Sequence, residues 1–300
     1  MPKRHSNLRM SNDRLTATVD TFGAELSSLT TADGSEWLWQ GDPNSWSGRA
    51  PVLFPVVGRS PEGLVSVSGR AFPMSSHGFA RESRFDVVEN NRTRCRLQLV
   101  DTPATRLSFP FAFRLDVSFV LDEATLGVAV EVANTGEVTL PCSFGLHPGF
   151  VWPLPGTAGL PHFVVLDDQA EPPARRLDDR GLMLPDIESP VFRNGRLPLR
   201  SETFERGAVF HEGGWGSVVR FGVANGPMVK LETRGFPNLG LWTRPGARFL
   251  CIEPCLGLPP IAGTGNPLDA RPGTMLIPSG GQISAQTRIT PIPNGNMPGP

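Results

Sequence analysis

A carboxylate inside an apolar run is the first feature of this sequence that could do chemistry. Glu253 lies in "FLCIEPCLG", residues 249–257, with a cysteine on either side. Burying an unpaired carboxylate costs several kcal/mol or forces the group to keep its proton. We therefore expect Glu253 to be paired, hydrogen-bonded or placed in a cleft, and the question is which residues meet it.

Two of the five histidines stand where strands are predicted to end, each beside a turn-forming residue and an aromatic. His77 lies in "SSHGFAR" and His147 lies in "FGLHPGF". Each is either a hydrogen-bonded structural histidine or a general acid or base, because the ordinary pKa of histidine lies near neutrality. The remaining histidines are predicted to lie in the N-terminal tail or on the surface: His5, His162 and His211.

An arginine and a tryptophan complete the candidate set. Arg59 follows the apolar run in "RAPVLFPVVGRS" and is either a solvent-exposed strand-end residue or a donor to a hydroxyl or phosphate. Trp242 in "PNLGLWTRP" is either a core residue or an apolar platform. A carboxylate, two histidines and an arginine together suit proton transfer on a polar substrate.

Other catalytic patterns are missing from the sequence. It contains no G-x-G-x-x-G, no G-x-x-x-x-G-K-[ST], no H-E-x-x-H and no G-x-S-x-G. Two histidines and a carboxylate can hold a metal, but they are far apart in sequence and none has a partner at i+2 or i+4, so no metal is predicted. The four cysteines give no disulfide framework, and Cys251 and Cys255 are predicted to be buried thiols.

Charge and hydropathy exclude several classes of partner. The 28 basic and 29 acidic residues give a net charge of −1, so neither nucleic acid nor an anionic membrane is an expected partner. No run approaches the roughly 18 apolar residues of a membrane span, and the N-terminus lacks the apolar core of a signal peptide. The expected location is the cytoplasm, and the expected assembly is a monomer or homodimer.

The elements that position these residues are predicted to be short antiparallel strands. Apolar and polar residues alternate in "RFDVVE", "RCRLQLVD", "FRLDVSFVLD" and "TLGVAVEVANTG", as in half-buried strands. Glycine and proline, 33 and 31 of the 300 residues, favour turns between strands over long helices. Residues 152–200 are predicted to be loops with one short strand at "HFVVLD". We expect one all-β domain over residues 13–290, a large sandwich or barrel, between flexible tails at 1–12 and 291–300.

Four motifs occur in order: "APVLFPVVGR", "HGFAR", "FGLHPGF" and "LWTRPGARFLCIEPCLG". Together they resemble the aldose 1-epimerase (galactose mutarotase-like) family, particularly its LacX-like bacterial branch, over about residues 12–290. The resemblance implies one large antiparallel β-sandwich, the galactose mutarotase-like supersandwich. It also implies an enzyme that interconverts the α and β anomers of a hexose or hexose phosphate without a cofactor or metal.

The resemblance assigns roles by motif position. Glu253 becomes the base that takes the proton of the anomeric hydroxyl, and His147 becomes the acid that protonates the ring oxygen. His77 and Arg59 fall where the family holds the sugar, and Trp242 is a candidate platform for it. Partial desolvation is expected to raise the pKa of Glu253 toward neutrality and so make it a better base.

The sequence departs from the family pattern near the substrate. Cys255 and Leu256 follow Glu-Pro where an aromatic is customary, and a proline replaces a customary aspartate. The strand that often brings an acidic sugar contact reads "FERGAVF", which leaves Glu205 for that role. These changes bear on which sugar is recognised more than on proton transfer.

Alternatives therefore stay open. One is a carbohydrate-binding or sensing protein that keeps the cleft but has no turnover. Another is an unrelated β-sandwich hydrolase, which would need a second carboxylate about 5 to 9.5 Å from Glu253. A phosphorylated substrate is also open, since Arg59 with Arg81 or Arg49 could hold a phosphate.

Overall fold

The computed structural model describes residues 6–297 of the chain, and its regular structure is almost entirely strand. The first eleven strands are β1 (Asn7–Ser11), β2 (Leu15–Asp20), β3 (Glu25–Thr31), β4 (Val52–Leu53), β5 (Leu64–Val67), β6 (Arg70–Pro73), β7 (Asp86–Asn90), β8 (Arg94–Val100), β9 (Phe113–Asp122), β10 (Thr125–Asn134) and β11 (Leu140–Cys142). The other eleven are β12 (Gly145–Leu146), β13 (Gly149–Val151), β14 (Phe163–Leu166), β15 (Arg196–Pro198), β16 (Val209–Glu212), β17 (Val218–Gly222), β18 (Asn225–Arg234), β19 (Asn238–Trp242), β20 (Phe249–Cys255), β21 (Met275–Ile277) and β22 (Gln282–Asn296). Helical structure among the described residues is limited to α1 (Pro103–Arg106) and five short 3-10 turns: Pro61–Gly63, Ala80–Glu82, Asp167–Gln169, Ser201–Phe204 and Leu268–Ala270.

Two large antiparallel sheets organise these strands. Nine strands form one sheet in the order β15-β14-β17-β18-β22-β10-β9-β8-β7. The other runs β16-β19-β20-β12-β4, with β13 also paired to β20. Strands β1 to β3 form a smaller sheet, and β5 with β6 and β11 with β21 form two-stranded pairs.

Side-chain alternation explains why these segments are strands. In β10, Leu126, Val128, Val130 and Val132 are buried, while the residues between them are only half-buried. This is the two-residue period predicted from the sequence, with the apolar side chains on one face. Residues of both large sheets join one hydrophobic core, Phe119 and Val130 from the nine-stranded sheet and Leu239 and Ile252 from the other. The predicted fold class, an all-β antiparallel sandwich, is confirmed.

The predicted flexible tails need correction. Residues 7–11 form β1, which pairs with β2 along its whole length, so this part of the predicted tail is ordered. At the other end β22 continues to residue 296, because its C-terminal part pairs with β18 up to Asn225. Residues 1–5 and 298–300 of the two predicted tails lie outside the described residues.

The segment 152–200 is built largely as predicted, with the strand at "HFVVLD" present as β14 and one further short strand, β15. The prediction that His162 and His211 lie on the surface is wrong. They are 3% and 0% exposed, because the loop segment folds over them. His162 Nε2 accepts the backbone N–H of Leu154, and His211 Nδ1 contacts the Pro173 carbonyl at 3.0 Å.

Among residues 6–297, no helix has both the length and the apolar character needed to span a membrane.

Candidate active site

Strand β20 places Glu253 on the floor of a cleft. Leu250 and Ile252 belong to the main core, and Glu253 lines the cleft on the opposite face of the sheet. By the two-residue period of a strand, Cys251 and Cys255 share the face of Glu253. The cleft has a volume of about 400 Å³, within the range of small-molecule sites.

Glycines stand opposite the cleft-facing residues of β20 on the neighbouring strands. The pairs are Gly149 with Cys251, Gly240 with Glu253 and Gly145 with Cys255. A Cβ at Gly145 would lie 2.6 Å from the Cys255 Sγ, and a Cβ at Gly240 would lie 3.2 Å from the Glu253 Cβ. Because the neighbouring strands have no side chain at these three positions, the side chains of β20 alone form this part of the floor.

Glu253 meets His147, which lies between β12 and β13. His147 Nε2 lies 3.2 Å from Glu253 Oε1, and the two residues are 7% and 2% exposed. Burial raises the pKa of Glu253 to about 8 and lowers the pKa of His147 to about 3, because a poorly solvated site disfavours the charged form of each. At neutral pH the pair consequently holds one proton between its two members.

His77 reaches the pair from a neighbouring loop. Its ring centroid lies 5.6 Å from that of His147, and its Nδ1 accepts the backbone N–H of Gly58 at 3.2 Å. This contact assigns the proton to Nε2, which is left to donate to a ligand. Burial, together with the neighbouring His147 and arginines, lowers the pKa of His77 well below its usual value, which favours the neutral ring.

Aromatic side chains form one wall of the cleft. Trp242 ends β19, and its ring meets Trp46 edge to face with centroids 5.6 Å apart. Both rings contact His147, at 5.0 Å from Trp46 and 5.8 Å from Trp242, and Phe249 packs behind them. An apolar wall beside a polar pair suits a ring with both C–H faces and hydroxyl groups.

Arginines line the rest of the cleft. Arg59 and Arg81 lie on the loops that carry Gly58 and His77, and Arg244 follows Trp242 by two residues. Behind the loop of Arg59, the buried Arg271 donates to the Ser60 Oγ and to the Val57 carbonyl, each at 2.8 Å. The loop is thereby held against the sandwich.

The structure brings five of the six candidate residues to this one cleft: Arg59, His77, His147, Trp242 and Glu253. Glu205 does not reach it. It follows the Ser201–Phe204 turn, is exposed, and lies outside the cleft. Ala208 and Phe210 line the wall instead. Strand β16 begins at Val209, whose side chain joins the main core, so the residues on either side of it face the cleft. Arg49, considered as a phosphate ligand, is also not a lining residue, and its Nε donates to the Gln40 carbonyl.

Sequence reasoning missed Trp46, Arg244 and Arg271, which lie in irregular segments. Arg244 falls inside the motif "LWTRPGARFLCIEPCLG", but nothing in the sequence shows that its side chain faces the cleft. It also missed that Cys251 faces the pair. Ligand atoms of His147, Cys251 and Glu253 lie within 4.8 Å of one another, a spacing open to a thiophilic divalent ion. Burial raises the pKa of the Cys251 thiol well above its usual value, which opposes the thiolate that such an ion requires.

The fold and the cleft define a class: a β-sandwich protein with a buried histidine–carboxylate pair on the floor of a cleft. The chain belongs to the aldose 1-epimerase family, whose sequence model matches residues 6–161. Among curated proteins it is similar to protein LacX of Lactococcus lactis subsp. lactis, chromosomal form, with 28% identity over 276 residues, 88% of this chain and 92% of LacX. The plasmid form of LacX matches to the same extent.

Solved structures agree with the family. A galactose mutarotase-like protein from Lactobacillus casei has a TM-score of 0.89 at 26% identity, covering 96% of this chain and 100% of that chain. A galactose mutarotase related enzyme from Lactobacillus acidophilus shares the fold, with a TM-score of 0.89 at 24% identity, covering 98% of this chain and 100% of that chain. Family and fold together support a mutarotase-type function.

Proposed function

We propose that the protein is an aldose 1-epimerase-type isomerase that interconverts the α and β anomers of a hexose or hexose phosphate. The observation that carries the proposal is the contact of 3.2 Å between Glu253 and His147 on the floor of the cleft. Ring opening needs a base at the anomeric hydroxyl and an acid at the ring oxygen, and these two groups supply both. The arginines and aromatic residues of the cleft then hold the sugar over the pair.

Each half-reaction balances within this pair. Glu253 takes the proton of the C1 hydroxyl, His147 gives a proton to O5, and the C1–O5 bond breaks to give the open-chain aldehyde. Rotation about C1–C2 presents the other face of the carbonyl, and the reverse transfers close the opposite anomer. His77 donates from Nε2 to a sugar oxygen and Trp242 packs on the ring. General acid–base catalysis of this kind contributes about 10² to 10⁴-fold.

The proton content of the pair fits this chemistry. Carboxylate with imidazolium, the state that starts the reaction, contains the same single proton as carboxylic acid with imidazole, the state that ends the ring opening. Burial favours the second, uncharged arrangement when no substrate is bound. A bound sugar hydroxyl that hydrogen-bonds to Glu253 favours the first arrangement, because it solvates the carboxylate.

The test is anomer exchange by NMR saturation transfer with glucose, galactose and glucose 6-phosphate. We expect the parent protein to accelerate exchange of at least one sugar, and Glu253→Gln and His147→Ala to lower kcat/KM by about 10² to 10⁴-fold. Glu137→Gln, at an exposed glutamate that does not line the cleft, is the matched control and is expected to match the parent. Full activity in either site variant would exclude the mechanism. Binding of a sugar without any acceleration would instead identify a carbohydrate-binding protein.

A further inference from the structure

The cleft carries an unbalanced positive charge. Arg59, Arg81 and Arg244 line it, and its only acidic lining residue among the described residues is Glu253. Glu253 is 2% exposed, and its contact is with His147 rather than with an arginine. Three guanidinium groups therefore face one cavity without a carboxylate to neutralise them.

The imbalance is local, because the chain as a whole has 28 basic and 29 acidic residues. Several arginines elsewhere lie within 4 Å of a carboxylate, as in Arg106 with Asp101, Arg175 with Glu212 and Arg288 with Asp122. None of the three cleft arginines has a side-chain hydrogen bond or ion pair to another residue between 6 and 297.

A fourth guanidinium, that of Arg271, lies behind the loop of Arg59 and adds positive charge near the cleft. Arg271 is 6% exposed, and its polar contacts are to the uncharged Ser60 Oγ and Val57 carbonyl. Its Nε has no hydrogen-bond partner among the described residues. After burial and alongside His147, the positive charges of Arg81, Arg271 and Arg59 contribute to lowering the pKa of His77, as expected for guanidinium groups close to that ring.

Within residues 6–297, the wall formed by β16 brings no acidic side chain into the cleft. The position expected to bring an acidic sugar contact presents Ala208 and Phe210, and Glu205 is outside the cleft. A neutral sugar offers hydroxyl groups, which are recognised by a mixture of donors and acceptors. Guanidinium groups supply donors only, in a fork that matches a phosphate or carboxylate.

We propose that the sugar bound in this cleft carries an anionic group, a phosphate or a carboxylate, which Arg81 and Arg244 bind together with Arg59 while its anomeric carbon lies at Glu253 and His147. This inference rests on the proposed function for the orientation of the sugar. It narrows the substrate class from any hexose to a hexose phosphate or a hexuronic acid.

The experiment compares kcat/KM for anomer exchange of glucose, galactose, glucose 6-phosphate and glucuronate. We expect at least one anionic sugar to exceed both neutral sugars by about 10- to 100-fold, the range of hydrogen bonds to charged groups. Raising the ionic strength should lower kcat/KM for the anionic sugar and leave it unchanged for glucose. The preferred member of the two anionic sugars identifies phosphate or carboxylate as the recognised group.

Variants locate the anion. Arg81→Gln and Arg244→Gln are each expected to raise KM for the preferred anionic sugar about tenfold or more, with a smaller effect on kcat. Arg96→Gln is the matched control, since Arg96 is an exposed arginine on β8 outside the cleft. Arg244 lies in an exposed turn, so its variant stays informative even where the half-buried Arg81 affects folding.

The outcomes separate this inference from the proposed function. Equal kcat/KM for neutral and anionic sugars would overturn the anionic substrate while leaving the epimerase in place. A second outcome is that no sugar exchanges, while calorimetry shows binding of glucose 6-phosphate or glucuronate that Arg244→Gln weakens. This result would support an anionic ligand and contradict the proposed epimerase activity. Neither exchange nor binding would overturn both.

Discussion

The pair Glu253–His147 works as one titrating unit because its members touch and share one buried environment. Burial moves both pKa values toward the uncharged forms, upward for the carboxyl and downward for the imidazole. From about pH 3 to about pH 8 the pair therefore contains one proton. An epimerase needs that proton on one side of the sugar and an acceptor on the other, so the one-proton state is the active state.

The pH dependence of the proposed exchange follows from this state. We expect kcat/KM, which reports the free enzyme, to stay level between about pH 5 and 7 and to fall about tenfold per pH unit above about 8. The fall has this sign because Glu253 then loses the last proton of the pair and His147 has none to give. The measurement is NMR exchange with glucose or glucuronate, which do not titrate in this window.

Two comparisons make that profile decisive. The protein-free rate at each pH is subtracted, because base also opens the ring, and Glu137→Gln should reproduce the parent profile. A kcat/KM that rises through pH 8 would contradict the shared proton. It would mean that Glu253 acts only when ionised and that another group, such as His77, is the acid.

At the scale of elements, the cleft depends on loops that bring distant residues together. The Phe54 N–H donates to the His77 carbonyl, and the His77 N–H donates to the Gly58 carbonyl. His77 and Gly78 both have left-handed backbone angles, φ 63° and 76°, which aim the His77 ring at the cleft. A Cβ at Gly78 would lie 2.0 Å from the Phe54 carbonyl oxygen, so only glycine fits there.

This contact predicts that Gly78→Ala destabilises the protein and disturbs His77. We expect the free energy of unfolding in urea to fall by at least about 3 kcal/mol, because overlap with Phe54 adds to the strain of a left-handed alanine. The displaced loop should also raise KM for the sugar. Gly69→Ala is the matched control, since Gly69 has the same φ of 76° and open space around its Cβ position. It should lose only about 1 kcal/mol, and equal losses in the two variants would contradict the overlap.

How far the sequence predicts these elements depends on whether the signal is local. Alternation identifies β10, whereas β20 is buried at every position and shows no alternation, so only its motif predicts that Glu253 lies at a cleft. The glycines opposite the cleft-facing residues of β20, Gly149 and Gly240, belong to strands far apart in sequence, and no local period reports which strands become neighbours. The prediction that Glu205 contacts the sugar site is wrong for the same reason, because the position of Glu205 depends on the residue at which β16 begins.

At the scale of the whole molecule, one core joins the two large sheets. The same cluster contains Met10 near one end of the chain and Ile289 near the other. The four cysteines lie in different parts of this structure, and all are buried and form no disulfide: Cys95 in β8, Cys142 in β11, and Cys251 and Cys255 in β20. Burial raises the pKa of the Cys95 and Cys142 thiols to about 12, so all four should be unreactive in the folded state.

A shared core predicts that the described residues, 6–297, unfold as one cooperative domain. We expect almost no thiol to react with a disulfide reagent in the folded protein, and all four to become reactive together across a single urea transition. Tryptophan fluorescence should report the same midpoint, because Trp37 and Trp215 are buried in that core. Mass mapping of the labelled peptides assigns each cysteine without the need for substitutions. Labelling of Cys95 at a lower urea concentration than Cys251 would contradict the prediction, since the nine-stranded sheet would then open while the sheet that carries Glu253 stayed folded.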